Sequence, residues 1–316
     1  MKRVSVIIPC YNAEKFIMKC FEQLNNQSLD ISEMEIIFVN DGSSDNTRKL
    51  IEELIFQHPD DVFMIDLKNN KGASNARNCG LKAATSSYVA FVDCDDTYDS
   101  SMLSKMVEAA EEHLCDIVEC DLKMVTRDED AVASSSGISQ YLDFSDTGVK
   151  AKYIMTFSHQ VCGKLFRTSF LRREKLSFNT DIVYGEDAVF SGTAIMLANG
   201  IYSLKERLYF YHINNNGSVI NSKSILYRID EMASLKERLI EEYRRRGIYD
   251  EVMDKYGEQF QGAMMICCYF NEMPEIYSEI YRLRDNIKEI FPNITENKYL
   301  QILDDRHKKY MSFFDN

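Results

Sequence analysis

The chain lacks any apolar stretch long enough to cross a membrane. A spanning helix needs about 20 consecutive apolar residues, and residues 262–270 form a far shorter run. The nine cysteines are odd in number and include no CxxC pair, which favours reduced core thiols over a disulfide framework. No signal peptide is recognisable, because a strand-like run follows directly after residues 1–3. We therefore expect a cytoplasmic protein that is peripheral to the inner face of the cell membrane at most.

Two common signatures of nucleotide-binding proteins and an excess of positive charge are also missing. No GxGxxG follows the first predicted strand, which argues against a dinucleotide-dependent oxidoreductase. A phosphate loop rich in glycine and in arginine or lysine is missing there too, which argues against a nucleotidyltransferase. The chain has 37 Lys and Arg against 50 Asp and Glu, a formal net charge of −13. Because binding to a phosphate backbone depends on clustered Lys and Arg, we expect no nucleic-acid partner.

The first 120 residues alternate between strand and helix patterns. Helical patterns at 14–27, 47–58, 73–84 and 102–114 separate predicted strands at 4–9, 35–40, 62–67, 88–93 and 116–120. This alternation predicts an α/β fold with a parallel sheet and right-handed crossovers. A surface loop is expected at 127–145, and helices at 148–156, 187–198 and from 224 onward. We place one domain at 1–222 and a helical region, for acceptor, membrane-surface or oligomer contacts, at 223–316.

Three carboxylates follow the fourth predicted strand at Asp93, Asp95 and Asp96. Carboxylates so close together repel one another unless a cation lies among them. Hard acidic oxygens select Mg²⁺ or Mn²⁺, and a loosely held ion of this kind typically grips phosphate oxygens. The cluster predicts a metal–diphosphate site; the alternative is an acidic turn that caps the helix starting near Ser100.

Three more segments follow strands that end at the same predicted edge. Pro9 suits the exit of a strand, and Tyr11 offers an aromatic face for a base, although a core tyrosine is the alternative. Asp41 precedes a turn at Gly42, where its carboxylate can accept an imide N–H or a ribose hydroxyl. Arg77 follows a run of small residues and faces the crevice, or else packs within its helix. Asp45 is interpreted as the N-cap of the second helix.

The ordered motifs resemble the family-two inverting glycosyltransferases of GT-A fold, above all the bacterial members that build capsular, exopolysaccharide or lipopolysaccharide repeats. These motifs are PCYN at 9–12, NDGSSDNT at 40–47, NKGASNARNCGL at 70–81, DCDD at 93–96 and GEDAVF at 185–190. The resemblance covers residues 3–215. It implies an α/β fold of GT-A type, with a mostly parallel central sheet flanked by helices and a C-terminal helical extension.

The resemblance also implies roles for individual residues. Asp187 stands where the family has its catalytic base, and Asp95 where it has the direct ligand of Mn²⁺ or Mg²⁺. The nucleotide-binding positions are Pro9, Tyr11, Asp41, Arg77 and Asp93, with Asp93 on the ribose side or bound to the metal through water. The supporting or acceptor-side positions are Glu186, Lys164 and Asp96. His212 matches a metal or phosphate contact of some relatives, and a plain strand-end histidine is the alternative.

The expected function is metal-dependent, inverting transfer of a sugar from a nucleotide-diphosphate donor to a saccharide or lipid-linked saccharide acceptor. Uridine is the first choice of base, with guanosine and thymidine diphosphates as alternatives. A rival function is that of a non-catalytic sugar-nucleotide-binding scaffold in an assembly complex. Contact of the basic segment 236–246 with anionic lipid, and assembly into a homo-oligomer, are left open.

Overall fold

The computed structural model describes residues 2–125, 137–156, 160–182, 185–212 and 238–250, together with residue 296. The chain divides into two compact units, Met1–Leu142 with Gln160–Ser222 and Asp143–His159 with Lys223–Asn316. Most of the predicted loop at 127–145 and most of the predicted tail from 224 lie outside the described residues. No helix in the described ranges is long and apolar enough to cross a bilayer.

The first unit is built on a mixed sheet whose parallel half comes from the first 91 residues. Its strands are β1 (Val4–Cys10), β2 (Met34–Asp41), β3 (Val62–Leu67), β4 (Tyr88–Phe91), β5 (Thr97–Tyr98), β6 (Ile117–Val125), β7 (Gln140–Asp143), β8 (Lys164–Arg167) and β9 (Gly200–His212). They lie in the order β3-β2-β1-β4-β8-β6-β9-β5, with β7 also paired to β9. β1 pairs in parallel with β2 and β4, and β2 with β3. β8 is antiparallel to both of its neighbours, β4 and β6.

Helices connect the strands. Those of the first unit are α1 (Ile17–Asn25), α2 (Thr47–Gln57), α3 (Ala73–Ala83), α4 (Met102–Glu112), α6 (Thr168–Arg173) and α7 (Glu186–Leu197). α1 shows why such segments fold as helices on a sheet. Its buried residues Ile17, Cys20, Phe21 and Leu24 recur at the spacing of one helical face. α7 differs, since every residue from Ala188 to Met196 is buried.

The second unit contains α5 (Thr147–Thr156) and a helical segment at 238–245. Near the end of that segment, Arg245 and Arg246 both donate to Glu242 at 2.6 Å. Gly247 then has a φ of +70°, as is usual just after a helix C-terminus.

The five predicted strands and the four helices between them are confirmed, with boundaries shifted by a few residues. Sequence reasoning missed β8, which enters between β4 and β6 and makes the sheet mixed at its centre. It also missed α6, the two-residue strand β5 and the long strand β9. The predicted loop at 127–145 is wrong at its end, where β7 pairs with β9. The prediction of Asp45 as N-cap is wrong by one position: Asn46 precedes α2, and the Asp45 carboxylate accepts the N–H of Thr47 at 3.0 Å.

The order in which successive strands join the sheet reverses at β1, and this switch point locates the crevice. β2 and β3 lie on one side of β1, whereas β4 lies on the other. Right-handed crossovers then place α3 on the opposite face of the sheet from α1 and α2. Open α/β sheets bind ligands at such a switch point, beyond the carboxyl ends of the strands. The carboxyl ends of β1 and β4 are followed by Tyr11 and Asp93.

α3 approaches β1 closely because Gly80 has no side chain. A Cβ atom at this position would collide with Cγ2 of Ile7, a residue with no exposed surface. The absence of a side chain therefore sets the distance between α3 and the sheet, and with it the position of Arg77 above the strand ends.

We expect Gly80→Ala to lower the free energy of unfolding by about 1–3 kcal/mol, because overpacking a filled core forces neighbours to move. This loss should appear although alanine normally favours a helix over glycine by about 0.5–1 kcal/mol. Urea denaturation of the purified variant measures it. Lys82→Ala on the exposed face of the same helix is the control and should change stability by about 0.5 kcal/mol or less. Equal stability of Gly80→Ala and the wild type would contradict the close packing.

Candidate functional site

The loops after β2 and β3 meet at Asp41, whose side chain is buried. Its carboxylate accepts the backbone N–H of Lys71 at 3.0 Å and that of Gly72 at 2.8 Å. The next residue, Gly42, has a φ of +71°, and a Cβ there would lie 2.7 Å from the backbone of Asn69 and Asn70. Asp41 thus holds the loop after β3. A carboxylate offers about four lone-pair sites, so it retains capacity for a further donor.

Tyr11 is 53% exposed at the end of β1. Exposure of this kind excludes the alternative of a core tyrosine and leaves the ring available to a ligand. Pro9 pairs with Val39 of β2 and is half-buried. Whether these residues and Asp41 contact a base stays a prediction.

Arg77 joins three carboxylates that are distant in sequence. Its Nη2 donates to Asp93 Oδ1 at 3.0 Å, while Nη1 donates to Glu186 Oε1 at 3.1 Å and to Asp187 Oδ1 at 2.9 Å. The side chain is 5% exposed, and its guanidinium lies 5.5 Å from the ring centroid of Phe178. One cation therefore faces three acids that come from the end of β4 and the start of α7, which leaves an excess of negative charge.

An aromatic cluster fixes α7 above the sheet. The ring of Phe190 in α7 stacks on that of Phe178 with centroids 4.1 Å apart. It also meets Phe91 of β4 and Phe166 of β8 edge-on, at 5.8 and 5.6 Å. Edge-to-face and offset pairs of this kind add about 0.5–1.5 kcal/mol each beyond their buried area. This packing places the first turn of α7, with Glu186 and Asp187, beside Arg77.

Asp187 has the environment of a general base. Burial raises the pKa of its carboxyl to about 7, with Arg77 opposing the rise and the charges of Glu186 and Asp93 adding to it. Its Oδ2 accepts the N–H of Val161 at 3.4 Å, and 23% of the side chain remains exposed. A carboxyl with such a pKa changes its protonation state near neutral pH, as a catalytic base requires.

Asp96 is buried between β9 and the loop that follows β4. It accepts the Tyr209 hydroxyl at 2.7 Å and the backbone N–H of His212 at 2.9 Å. Burial raises the pKa of Asp96 to about 8, and the charge of Asp93 contributes. The His212 imidazole is bonded through Nε2 to Thr97 Oγ1 at 2.7 Å, and burial lowers its pKa. Asp96 thus ties the acidic loop to β9.

The acidic residues fit a hard divalent cation by their chemistry. Within the described part of the chain, one set of ligand atoms lies within 4.8 Å of one another, namely those of Asp93, Asp96 and Cys162. Burial raises the pKa of the Cys162 thiol well above its usual range, so its sulfur is a poor ligand for Mg²⁺ or Mn²⁺. Two carboxylates and an excess of negative charge do suit such an ion, whose own charge would bring Asp96 back to its ionised form.

Asp95 is exposed at the rim, and neither it nor His212 belongs to that set. Their roles as metal ligands stay predictions. Lys164 is buried in β8, where its ammonium donates to the carbonyl of Gln160 at 2.7 Å. Burial lowers its pKa, while the charges of Glu119 and Asp187 oppose the change. Its expected contact with the diphosphate or acceptor also stays a prediction.

Several residues of the site escaped sequence reasoning. None of them belongs to a recognisable motif, and each contacts site residues that are distant in sequence. They are Tyr209, Cys162, Val161 and Phe178. Tyr209 lies in a run of three buried residues of β9, with Leu208 and Phe210, so no alternating pattern indicated which way its side chain points.

Comparison with known proteins identifies relatives of the chain. The model of the family named Glycosyl transferase family 2 matches residues 5–174, more than half of the sequence. The relative named uncharacterized glycosyltransferase EpsJ, from Bacillus subtilis (strain 168), is 34% identical over 216 residues. That alignment covers 67% of this chain but 62% of EpsJ, so the chain spans less than two thirds of this relative.

Two solved structures share the fold. The crystal structure of S. aureus TarS 1–349 in complex with UDP-GlcNAc has a TM-score of 0.69 at 22% identity, covering 97% of this chain and 83% of that one. The mannosyltransferase PcManGT from Pyrobaculum calidifontis, in complex with GDP-Man and Mn²⁺, has a TM-score of 0.56 at 15% identity, covering 99% and 84%. The expected GT-A fold is confirmed, although its sheet is mixed where a mostly parallel one was expected.

Removing the shared cation should destabilise the site in a pH-dependent way. We expect Arg77→Met to lower the free energy of unfolding by about 3–5 kcal/mol at pH 8, because buried carboxylates lose their partner. Burial already raises the pKa of Asp187 to about 7, and the loss of Arg77 removes the charge that opposes this rise. Stability is therefore lost as pH rises and regained as Asp187 protonates toward pH 5.5. Urea denaturation at both pH values measures the difference.

Arg48→Met is the matched control, since Arg48 also pairs with two acids, Glu52 at 2.9 Å and Asp66 at 3.1 Å, but is 59% exposed. Its loss should cost about 1 kcal/mol or less. If both variants lose the same stability at pH 8, the Arg77 cluster does not hold the site together.

Proposed function

The chain belongs to glycosyl transferase family 2, and from this membership we propose that it transfers a sugar, with inversion, from a nucleotide-diphosphate donor. The acceptor is a saccharide or lipid-linked saccharide of surface polysaccharide synthesis, and Mn²⁺ or Mg²⁺ is the cofactor. One observation carries the proposal: Arg77 brings Asp93 of the acidic motif and Asp187 of the GEDAVF motif to a single guanidinium.

The position of Asp187 supports its role as base. Inversion at an anomeric carbon requires deprotonation of the acceptor hydroxyl on the face opposite the leaving diphosphate. Asp187 keeps part of its surface exposed while Arg77 and Val161 hold its orientation. A base positioned in this way contributes about 10²–10⁴-fold in rate. Only one base is needed, because an inverting displacement forms no covalent enzyme intermediate.

Glu186 supports this base without competing for the proton. It shares Nη1 of Arg77 with Asp187 and occupies the first turn of α7, where negative charge is favourable. We assign the proton to Asp187, whose pKa burial raises to about 7.

The leaving diphosphate belongs at the acidic loop. When bound, a divalent cation supplies Lewis-acid stabilisation of the charge that develops there. Asp93 and Asp95 are the proposed ligands, with Asp96 as the third acid. Asp96, held by Tyr209 and the backbone of His212, fixes the loop that presents them.

A uridine nucleotide is our first choice of donor, on the strength of Asp41 and Tyr11 beside the switch point. The TarS structure carries UDP-GlcNAc, which supports this choice. The PcManGT structure carries GDP-Man, so guanosine is the second candidate.

A non-catalytic scaffold is the rival function. It would need nucleotide binding but no partly exposed carboxyl with a pKa near neutrality, and Asp187 therefore favours the enzyme.

We expect Asp187→Asn to bind nucleotide sugar normally and to lose about two or more decades in turnover, since the amide cannot accept the proton. Wild-type turnover should rise with pH through about 7, because a base with a raised pKa is protonated, and inactive, below it. The measurement is hydrolysis or transfer from a UDP-sugar panel with Mn²⁺ between pH 5.5 and 9. Glu186→Gln, next to it on the same guanidinium, is the control: it should keep turnover at high pH and move the midpoint of the profile to lower pH, because the charge of Glu186 helps to raise the pKa of Asp187. Near-normal turnover of Asp187→Asn would remove Asp187 from the mechanism.

We expect Asp95→Ala to abolish the part of nucleotide affinity that depends on metal, because a diphosphate is then held without its bridging cation. Titration calorimetry of UDP with and without Mn²⁺ measures this part. Asp60→Ala, an exposed acid in the turn before β3, should leave it unchanged. Unaltered metal-dependent affinity in Asp95→Ala would refute the assignment of Asp95 as ligand.

A further inference from the structure

Asn12 has an unusual backbone conformation at the exit of β1. Its φ is +49°, in the left-handed region that residues other than glycine rarely adopt and that Asn tolerates best. It directly follows Tyr11, the exposed aromatic residue at the switch point. The turn at Asn12 therefore decides where the chain leaves β1 and where the Tyr11 ring stands.

Both the backbone and the side chain of Asn12 bind the loop after β2. Its N–H donates to Ser43 Oγ at 2.9 Å. Its Oδ1 accepts the N–H of Ser44 at 2.9 Å and the Ser44 hydroxyl at 3.3 Å. Ser43 in turn donates its N–H to Asn40 Oδ1 at 3.2 Å, on the other side of Asp41. Asn12 thus connects the loop that carries Tyr11 to the turn that carries Asp41.

The following residues continue the connection. The N–H of Ala13 donates to Thr47 Oγ1 at 2.7 Å, and that of Glu14 to Asp45 Oδ2 at 3.1 Å. The Glu14 carboxylate accepts both the N–H and the side-chain amide of Asn46, at 3.1 and 2.9 Å. The loops after β1 and β2 are therefore joined along their length, and Asn12 makes the contacts nearest to Asp41.

We propose that Asn12 is a positioning residue for nucleotide binding: it locks the loops after β1 and β2 in the arrangement that presents Tyr11 and Asp41 to the donor. The nature of the ligand rests on the proposed function. The locking of the loops does not, and can be measured without any ligand.

Three substitutions separate the contributions of Asn12. Asn12→Ala loses the acceptor and disfavours the left-handed backbone, whereas Asn12→Gly loses the acceptor but keeps that backbone accessible. Asn12→Asp keeps an oxygen that accepts from Ser44 and tolerates a positive φ. Asp30→Ala is the matched control. Asp30 also accepts a backbone N–H, that of Ser32 at 2.9 Å, but this contact is local and lies at the opposite, amino end of β2.

Titration calorimetry of UDP with Mn²⁺ gives the first readout. Asn12→Ala should raise the Kd about tenfold or more with an unchanged number of sites per chain, Asn12→Gly should raise it less, and Asn12→Asp should stay within about threefold of the wild type. A merely structural role would lower the number of competent sites and leave the Kd alone. A Kd of Asn12→Ala within twofold of the wild type, or a fall in sites alone, overturns the proposal.

Amide hydrogen exchange without nucleotide gives the second readout. In Asn12→Ala the amides of Ala13 and Ser44 should exchange at least tenfold faster, whereas Asp30→Ala should leave them unchanged. Unchanged exchange in Asn12→Ala overturns the proposal whatever the calorimetry shows. If the wild type binds none of the uridine, guanosine or thymidine diphosphates, the proposed function fails, and the exchange result still decides whether Asn12 locks the loops.

Discussion

The site depends on one guanidinium shared by three carboxylates. Arg77 reaches Asp93, Glu186 and Asp187 from the second turn of α3, and so links three separate parts of the chain. A buried cation among acids is stable only while its partners stay in place, and the acids are tolerated only while the cation is present. This mutual dependence fixes the distance between the acidic loop after β4 and the start of α7. The same guanidinium lies against Phe178, whose ring stacks on Phe190, so the charge cluster is backed by the packing of the core.

The two carboxyls with strongly raised pKa values do different work although burial is the main cause in both. Asp187, with a pKa of about 7, keeps exposed surface and faces the crevice. Asp96, with a pKa of about 8, is closed in by Tyr209 and the backbone of His212. Because both pKa values are raised, the exposure and the partners of each carboxyl, and not the direction of its shift, distinguish the two roles. Asp187 keeps exposed surface through which a proton can be exchanged, whereas Asp96 is enclosed and holds the acidic loop against β9.

Sequence reasoning found the parts that depend on local pattern and missed those that depend on distant contacts. The strands near Val4 and Met34 were found because their apolar runs are long and end in motifs. β8 was missed because four residues, Lys164–Arg167, carry no readable period, and its antiparallel insertion is a property of the whole sheet. Arg77 and its three acidic partners were each found as candidates, but their pairing was not: the partners lie 16 to 110 residues from Arg77, and no spacing rule relates them. The hydrogen bond from Tyr209 to Asp96, 113 residues apart, could not be predicted for the same reason.

The backbone at the crevice shows where the fold departs from regular geometry. Asn12, Gly42 and Gly185 all have φ between +49° and +78°, and each adjoins a residue of the site, namely Tyr11, Asp41 and Glu186. Left-handed residues turn the chain sharply, which lets a side chain at a strand end or a helix start point into the crevice instead of along the element. Hydrogen bonds between loops offset the backbone strain of such turns, as those of Asn12 with Ser43 and Ser44 do. The hydrogen-bonded loops and the Arg77 guanidinium thus have the same effect. Both hold groups from five separate segments at one edge of the sheet before any ligand binds.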